Sequence, residues 1–153
     1  MPDIVIDTNV LKHANNTKEH RQKHAIELIT YLLSSNEFIC LDEGFSLNES
    51  LNKSHIGNEY ITHLKVGMLG YSFLVKIALE KRIKEVPKST ELAISKVINQ
   101  KIRNLKDRVF LKVTNNAAGK TLISHDFTDI SLTKRDFFRE NLTIVVIEAS
   151  EYP

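Results

Sequence analysis

Short hydrophobic runs alternate with longer stretches of helical spacing along almost the whole chain. Four runs read as strands: Ile4–Ile6, Phe38–Leu41, Thr121–Ser124 and Thr143–Ile147. Each is brief and dominated by apolar or β-branched residues at consecutive positions. Consecutive rather than alternating apolar residues imply burial on both faces, as in a parallel sheet covered by helices. Between the runs, "HAIELITYLL" (24–33) places Ile26, Ile29 and Leu33 at intervals of three and four, a half-buried helix. The longer "EYITHLKVGMLGYSFLVKIALEKRI" (59–83) carries Tyr60, Leu64, Met68, Tyr71 and Val75 on one stripe. Gly67 and Gly70 inside it either break the helix or permit a close helix contact. "ELAISKVINQKIRNL" (91–105) and "DRVFLKV" (107–113) read as successive helices joined near Asn104–Asp107. Strands separated by helices predict an α/β chain: a three-layer α/β/α fold around a central, mainly parallel sheet of 4–5 strands.

Length and composition narrow the class. A chain of 153 residues is expected to form one domain over residues 1–153, with 42% apolar and 26% charged residues typical of a water-exposed globular fold. Cys40 is the only cysteine, so no internal disulfide forms. With no signal-peptide pattern at the start, this points to a reducing, cytoplasmic setting. No apolar run approaches a membrane span of roughly 20 residues. The sequons at Asn15, Asn48, Asn52 and Asn141 are chance matches in an Asn-rich chain on that reading. A net charge of +2 announces no global basic field. Basic stretches at 18–23, 88–108 and 134–139 nonetheless offer local tracks for phosphates.

The distinctive chemistry lies where strands end. "IVIDTNVL" (4–11) runs from an apolar strand straight into Asp7, Thr8 and Asn9, and "TLISHDFTD" (121–129) runs into Asp126 in the same way, with Asp129 three residues on. In parallel α/β sheets the carboxyl ends of the strands form the ligand-binding rim. Acids gathered there repel one another unless a cation holds them. Each also has a plainer reading as a helix cap. Ser46 and Glu49 fit a capping box, in which the glutamate bonds back to the Ser46 amide. Asp107 suits the first turn of a helix.

Taken together these residues resemble the PIN domain, a family of metal-dependent nucleases. The resemblance rests on "IVIDTNVL", a glutamate in the helix after the second strand, an aspartate opening a late helix, and "LISHD" on a later strand. It implies that Asp7, Glu49, Asp107 and Asp126 are catalytic metal ligands, with Asp129 a further ligand. Glu49 is preferred to Glu43, which falls in the preceding turn. Asn9 would bond to a neighbouring ligand or to substrate, and Thr8 would cap the helix or support the ligands from behind. His125 either contacts substrate or serves as a packed or capping histidine. An all-carboxylate set favours Mg²⁺ or Mn²⁺ over Zn²⁺. The implied activity is phosphodiester hydrolysis by an endonuclease, with RNA the favoured substrate. Small members of the family are often toxins that form homodimers and pair with an antitoxin protein, and no membrane partner is expected.

Competing readings are a non-catalytic PIN-like module that binds nucleic acid or protein, and a DNA-directed nuclease with the same acids. Other signals fall away. "GKT" (119–121) lacks the first glycine of a P-loop, since position 114 is Thr114. His20 and His24 lie among Glu19, Arg21 and Lys23, as on a solvated helix face. Phe137 and Phe138 read as a buried pair rather than a base-stacking platform.

Overall fold

The computed structural model describes residues 3–153. Five strands, β1 (Asp3–Ile6), β2 (Phe38–Asp42), β3 (Ile83–Val86), β4 (Thr121–Ile123) and β5 (Val145–Ile147), pair in the order β3-β2-β1-β4-β5, every pair parallel. β1 is the middle strand, and Ile4, Val5 and Ile6 are at most 1% exposed. Its unbroken apolar run has that cause: helices cover both of its faces.

Seven helices make the crossovers: α1 (Thr8–His13), α2 (Gln22–Leu33), α3 (His55–His63), α4 (Leu69–Leu79), α5 (Leu92–Lys101), α6 (Leu105–Asn116) and α7 (Leu132–Leu142). A short 3₁₀ turn follows at Ala149–Glu151. The chain steps outward from β1 to β2 to β3, then crosses back to β4 and outward to β5. Right-handed crossovers in opposite directions put α1–α4 on one face and α5–α7 on the other. The result is the three-layer α/β/α arrangement, and no helix among the described residues is long and apolar enough to cross a membrane.

The long helical pattern of 59–83 resolves into two helices and a strand. Gly67, at φ +96°, turns the chain between α3 and α4, a backbone state that costs a side-chain-bearing residue. Gly70 lies inside α4 where a Cβ would stand 3.0 Å from the Leu11 carbonyl oxygen, so its smallness lets α4 close on α1. Both roles open to these glycines are used, one each. β3 was not among the four strands expected.

The direction of chain travel reverses between β1 and β4, which pair through Val5↔Leu122 and Ile6↔Ile123. That is the switch point at which an open α/β sheet forms a crevice beyond its strand ends. Asp7 and Asp126 both lie at that edge.

Candidate metal centre

Asp7 follows β1 and occupies the N-cap position of α1, yet makes no capping bond through its side chain. Its carboxylate instead accepts a 2.8 Å hydrogen bond from the Ser124 hydroxyl, which in turn accepts from the Asp126 amide at 3.1 Å. Ser124 thus ties the ends of β1 and β4 together. Asn9 adds a second tie, its side-chain oxygen accepting from the His125 amide at 3.2 Å. Its place is to hold the loop that carries Asp126. Thr8 is the first residue of α1, and its hydroxyl is buried without a partner, so it does not cap.

Asp126 shapes its own loop, Oδ1 accepting from the amides of Thr128 and Asp129 at 3.0 and 2.8 Å. From outside, the buried Arg135 of α7 clamps the same loop. It donates from Nε to the Ile130 carbonyl (2.8 Å) and from Nη2 to those of Ser124 (3.2 Å) and Asp126 (2.9 Å), and its guanidinium lies 3.9 Å from the centroid of the Phe127 ring. Replacing Arg135 with methionine keeps much of the volume but leaves these carbonyls without their donor. The expected loss is about 3 kcal/mol of stability, read by urea denaturation. An unchanged midpoint would mean that the loop holds itself.

The third arm is α6. Asn104 caps it, accepting from the amides of Lys106 and Asp107, and so sets the helix start where Asp107 points inward. Asp107, Asp126 and Asp129 each offer a carboxylate oxygen, and these atoms lie within 4.8 Å of one another. Asp107 is 8% exposed, and its Oδ2 has no hydrogen-bond partner.

The electrostatics follow from burial and like charge. Desolvation pushes Asp107 up to about 8, reinforced by the charges of Asp7 and Asp126. Asp7 rises to about 6, again first by burial, with the Ser124 hydroxyl pulling downward and Asp126 pushing upward. Without a cation Asp7 and Asp107 keep protons that ordinary aspartates lose near 3.8. The donors are all carboxylate oxygens, one of them buried and unsatisfied, so these residues fit a hard divalent cation.

Glu49 was expected inside the helix that follows β2. It lies instead in an exposed turn, and α3 begins only at His55. The Ser46 hydroxyl accepts from the Asn48 amide and the Ser46 amide donates to Asn52, so the capping box does not form either. α3 is capped by Ser54, whose hydroxyl accepts from the Gly57 amide and donates to Asp42 at 2.6 Å. Asp42, the last residue of β2, also accepts from the amides of His55 and Ile56. The Tyr60 hydroxyl then donates to the Ile6 carbonyl, pinning α3 to the end of β1 next to Asp7. The glutamate that α3 contains is Glu59, whose carboxylate pairs at 3.3 Å with Lys106, the residue before Asp107.

His125 is packed rather than presented. It is 6% exposed, and its Nε2 accepts from the Ala149 amide at 3.1 Å. The ring proton therefore sits on Nδ1, which donates to His13 Nδ1 at 2.8 Å. Burial lowers its pKa to about 4, leaving a neutral brace between β4, α1 and the C-terminal turn. The remaining signals take their plainer readings. His20 precedes α2, exposed and beside Glu19, and Phe138 is fully buried with Phe137 packed edge-on against it.

Comparison of the chain with protein-family models, curated proteins and solved structures finds no match in any of the three.

Proposed function

We propose that this chain is a metal-dependent endoribonuclease of the PIN-domain type. The observation that carries the proposal is the gathering of Asp107, Asp126 and Asp129 beside Asp7 at the β1/β4 switch point, with the buried Oδ2 of Asp107 unpartnered. A purely structural cluster would have no reason to draw carboxylates from three separate parts of the chain into mutual repulsion.

In this reading Asp7, Asp107 and Asp126 hold Mg²⁺ or Mn²⁺, with Asp129 as a further ligand. Glu59 takes the place in the helix after the second strand that the resemblance assigns to a glutamate. A divalent cation held by these residues would supply a water activated for attack and neutralise charge on the departing oxygen. The chain's own groups prepare that site. Ser124 and Asn9 fix the two strand ends against each other. Arg135 immobilises the Asp126 loop through its backbone carbonyls. Lys106, beside Glu59, offers positive charge to a substrate phosphate. An antitoxin partner and a homodimer belong to the same reading through the resemblance alone.

The activity test is incubation of single-stranded RNA and DNA with the protein in Mg²⁺, in Mn²⁺ and in EDTA. Internal cleavage of RNA with either cation, halted by EDTA, is expected. Cleavage that persists in EDTA, or none with any cation, contradicts the proposal. The glutamates separate in the same assay. Glu59→Gln is expected to lower cleavage at least about a hundredfold, whereas Glu49→Gln, in its exposed turn, leaves the rate unchanged. The reverse order would return the role to the 43–54 loop.

A further inference from the structure

Beside the acid cluster, between the start of α3 and the first turns of α6, lies a cleft of about 370 Å³. Its floor is apolar, from Ile56, Val109 and Phe110, and its rim is polar, with Lys53 and Lys106 set beside Asn58 and the single acid Glu59. The cleft and the cluster share one wall. Successive helical residues point about 100° apart, so Lys106 faces the cleft while Asp107, the next residue, faces the other aspartates. The two α-carbons are about 3.8 Å apart, which makes the cleft an immediate neighbour of the proposed reaction centre.

We propose that this cleft seats one unpaired nucleotide of the substrate strand, its base against Val109 and Phe110 and its phosphate between Lys53 and Lys106. The proposal rests on the nuclease reading for its choice of ligand. Three features favour this occupant. The apolar floor accepts the face of any base, and the volume lies within the range of sites that enclose small ligands. The exposed lysines complement a phosphate and no other charge on a nucleotide. Lys106 pairs with Glu59 at 3.3 Å, which brings its ammonium to the rim, and Lys53 adds a second positive charge there. Hydrogen bonds already made within the loop (Asn52 to Ser46 and Ser54, and Ser54 to Asp42) brace the cleft wall. A duplex would not present a base to such a recess, so the cleft selects single strands.

The test uses the full chain in EDTA, where no cleavage occurs, titrated with the four ribonucleoside 5′-monophosphates and, separately, with inorganic phosphate. Amide NMR shifts are followed in the unmodified protein and in Asp7→Asn. Shifts centred on residues 54–59 and 105–110, alike in both proteins and tighter for nucleotides than for phosphate, are expected. Lys53→Glu and Asn58→Glu alter exposed side chains and are expected to keep the melting temperature. Each should weaken nucleotide binding about tenfold and, in the cleavage assay, raise KM with little change in kcat. Shifts centred elsewhere, equal affinity for bare phosphate, or unweakened binding in both variants would overturn the inference. The two readings fail separately. Binding in the cleft by a protein that never cleaves RNA sinks the nuclease reading alone, and cleavage without binding in the cleft sinks this inference alone.

Discussion

Asp7→Asn is expected to reduce RNA cleavage by roughly a thousandfold or more while the protein folds normally. A cation's stabilisation of developing charge is worth several kcal/mol, and about 1.4 kcal/mol is tenfold in rate. Asparagine is nearly isosteric, and its side-chain oxygen can still accept from the Ser124 hydroxyl that now bonds the carboxylate. What disappears is a charge that is 7% exposed and crowded by Asp126 and Asp107. The cation-free variant should therefore melt no lower than the unmodified protein. Saturating Mg²⁺ should raise the melting temperature of the unmodified protein and leave the variant nearly unmoved, since stabilisation requires a ligand set complete only in the fold. Equal Mg²⁺ stabilisation of the two proteins would remove Asp7 from the cluster, and full activity in Asp7→Asn would remove the mechanism.

A second large effect concerns pH. In the cation-free fold Asp7 holds its proton to about 6 and Asp107 to about 8, against 3.8 for an ordinary aspartate. Between pH 4 and 8 these two carboxyls therefore bind more protons in the folded chain than in the unfolded one, and their contribution to stability falls as pH rises. The buried His125, lowered to about 4, contributes the opposite slope up to about 6.5, so the fall from Asp107 stands alone between pH 7 and 8. For Asp7 alone the rise corresponds to roughly 3 kcal/mol at about 1.4 kcal/mol per pH unit, or about 6–12 °C in a protein of this size. Mg²⁺ competes with those protons, so its stabilising effect should be small near pH 5 and grow toward pH 8, reaching about 2.7 kcal/mol at a hundredfold excess over Kd. Calorimetric melting at several pH values with Mg²⁺ and with EDTA checks both slopes. A cation-free protein that gains stability from pH 7 to 8, above the range in which an unfolded histidine titrates, would show that Asp107 ionises without strain.

The strands β1, β2 and β4 are readable in the sequence because burial on both faces leaves unbroken apolar runs. The edge strand β5 is readable because Val145–Ile147 is apolar throughout even though Val145 is exposed. β3 is not. Its sequence "IKEV" puts exposed Lys84 and Glu85 between Ile83 and Val86, as an edge strand does, and it abuts a helix whose apolar spacing absorbs Ile83. Asp7, directly after β1, and Asp126, three residues after the end of β4, are legible because an acid so close to the end of a buried strand has little choice but the rim. Asp107 is legible as a first-turn acid, and its inward direction comes from the Asn104 cap.

The helix glutamate was misplaced for a definable reason. Ser46 and Glu49 imitate a capping box, whereas the true cap, Ser54, meets Gly57 at the third helical position, so no glutamate advertises it. The signal lay in Ile56, Tyr60 and Leu64, spaced by four and fully or almost fully buried, which begin two residues after Ser54 rather than near Ser46. Asp42 was missed altogether. A carboxylate closing β2 looks like the start of a loop, and its three bonds to the head of α3 depend on a return of the chain more than ten residues later. Arg135 was missed likewise, since its acceptors are backbone carbonyls brought near by the β4–α7 turn.

The claim on which the rest depends is that the acids at the β1/β4 edge hold a divalent cation, and crystals grown with Mn²⁺ test it most directly. Anomalous scattering is expected to place manganese among Asp7, Asp107 and Asp126, with the signal absent from crystals of Asp7→Asn grown alike. Manganese found only elsewhere, with none among these aspartates at saturating cation, would contradict the account.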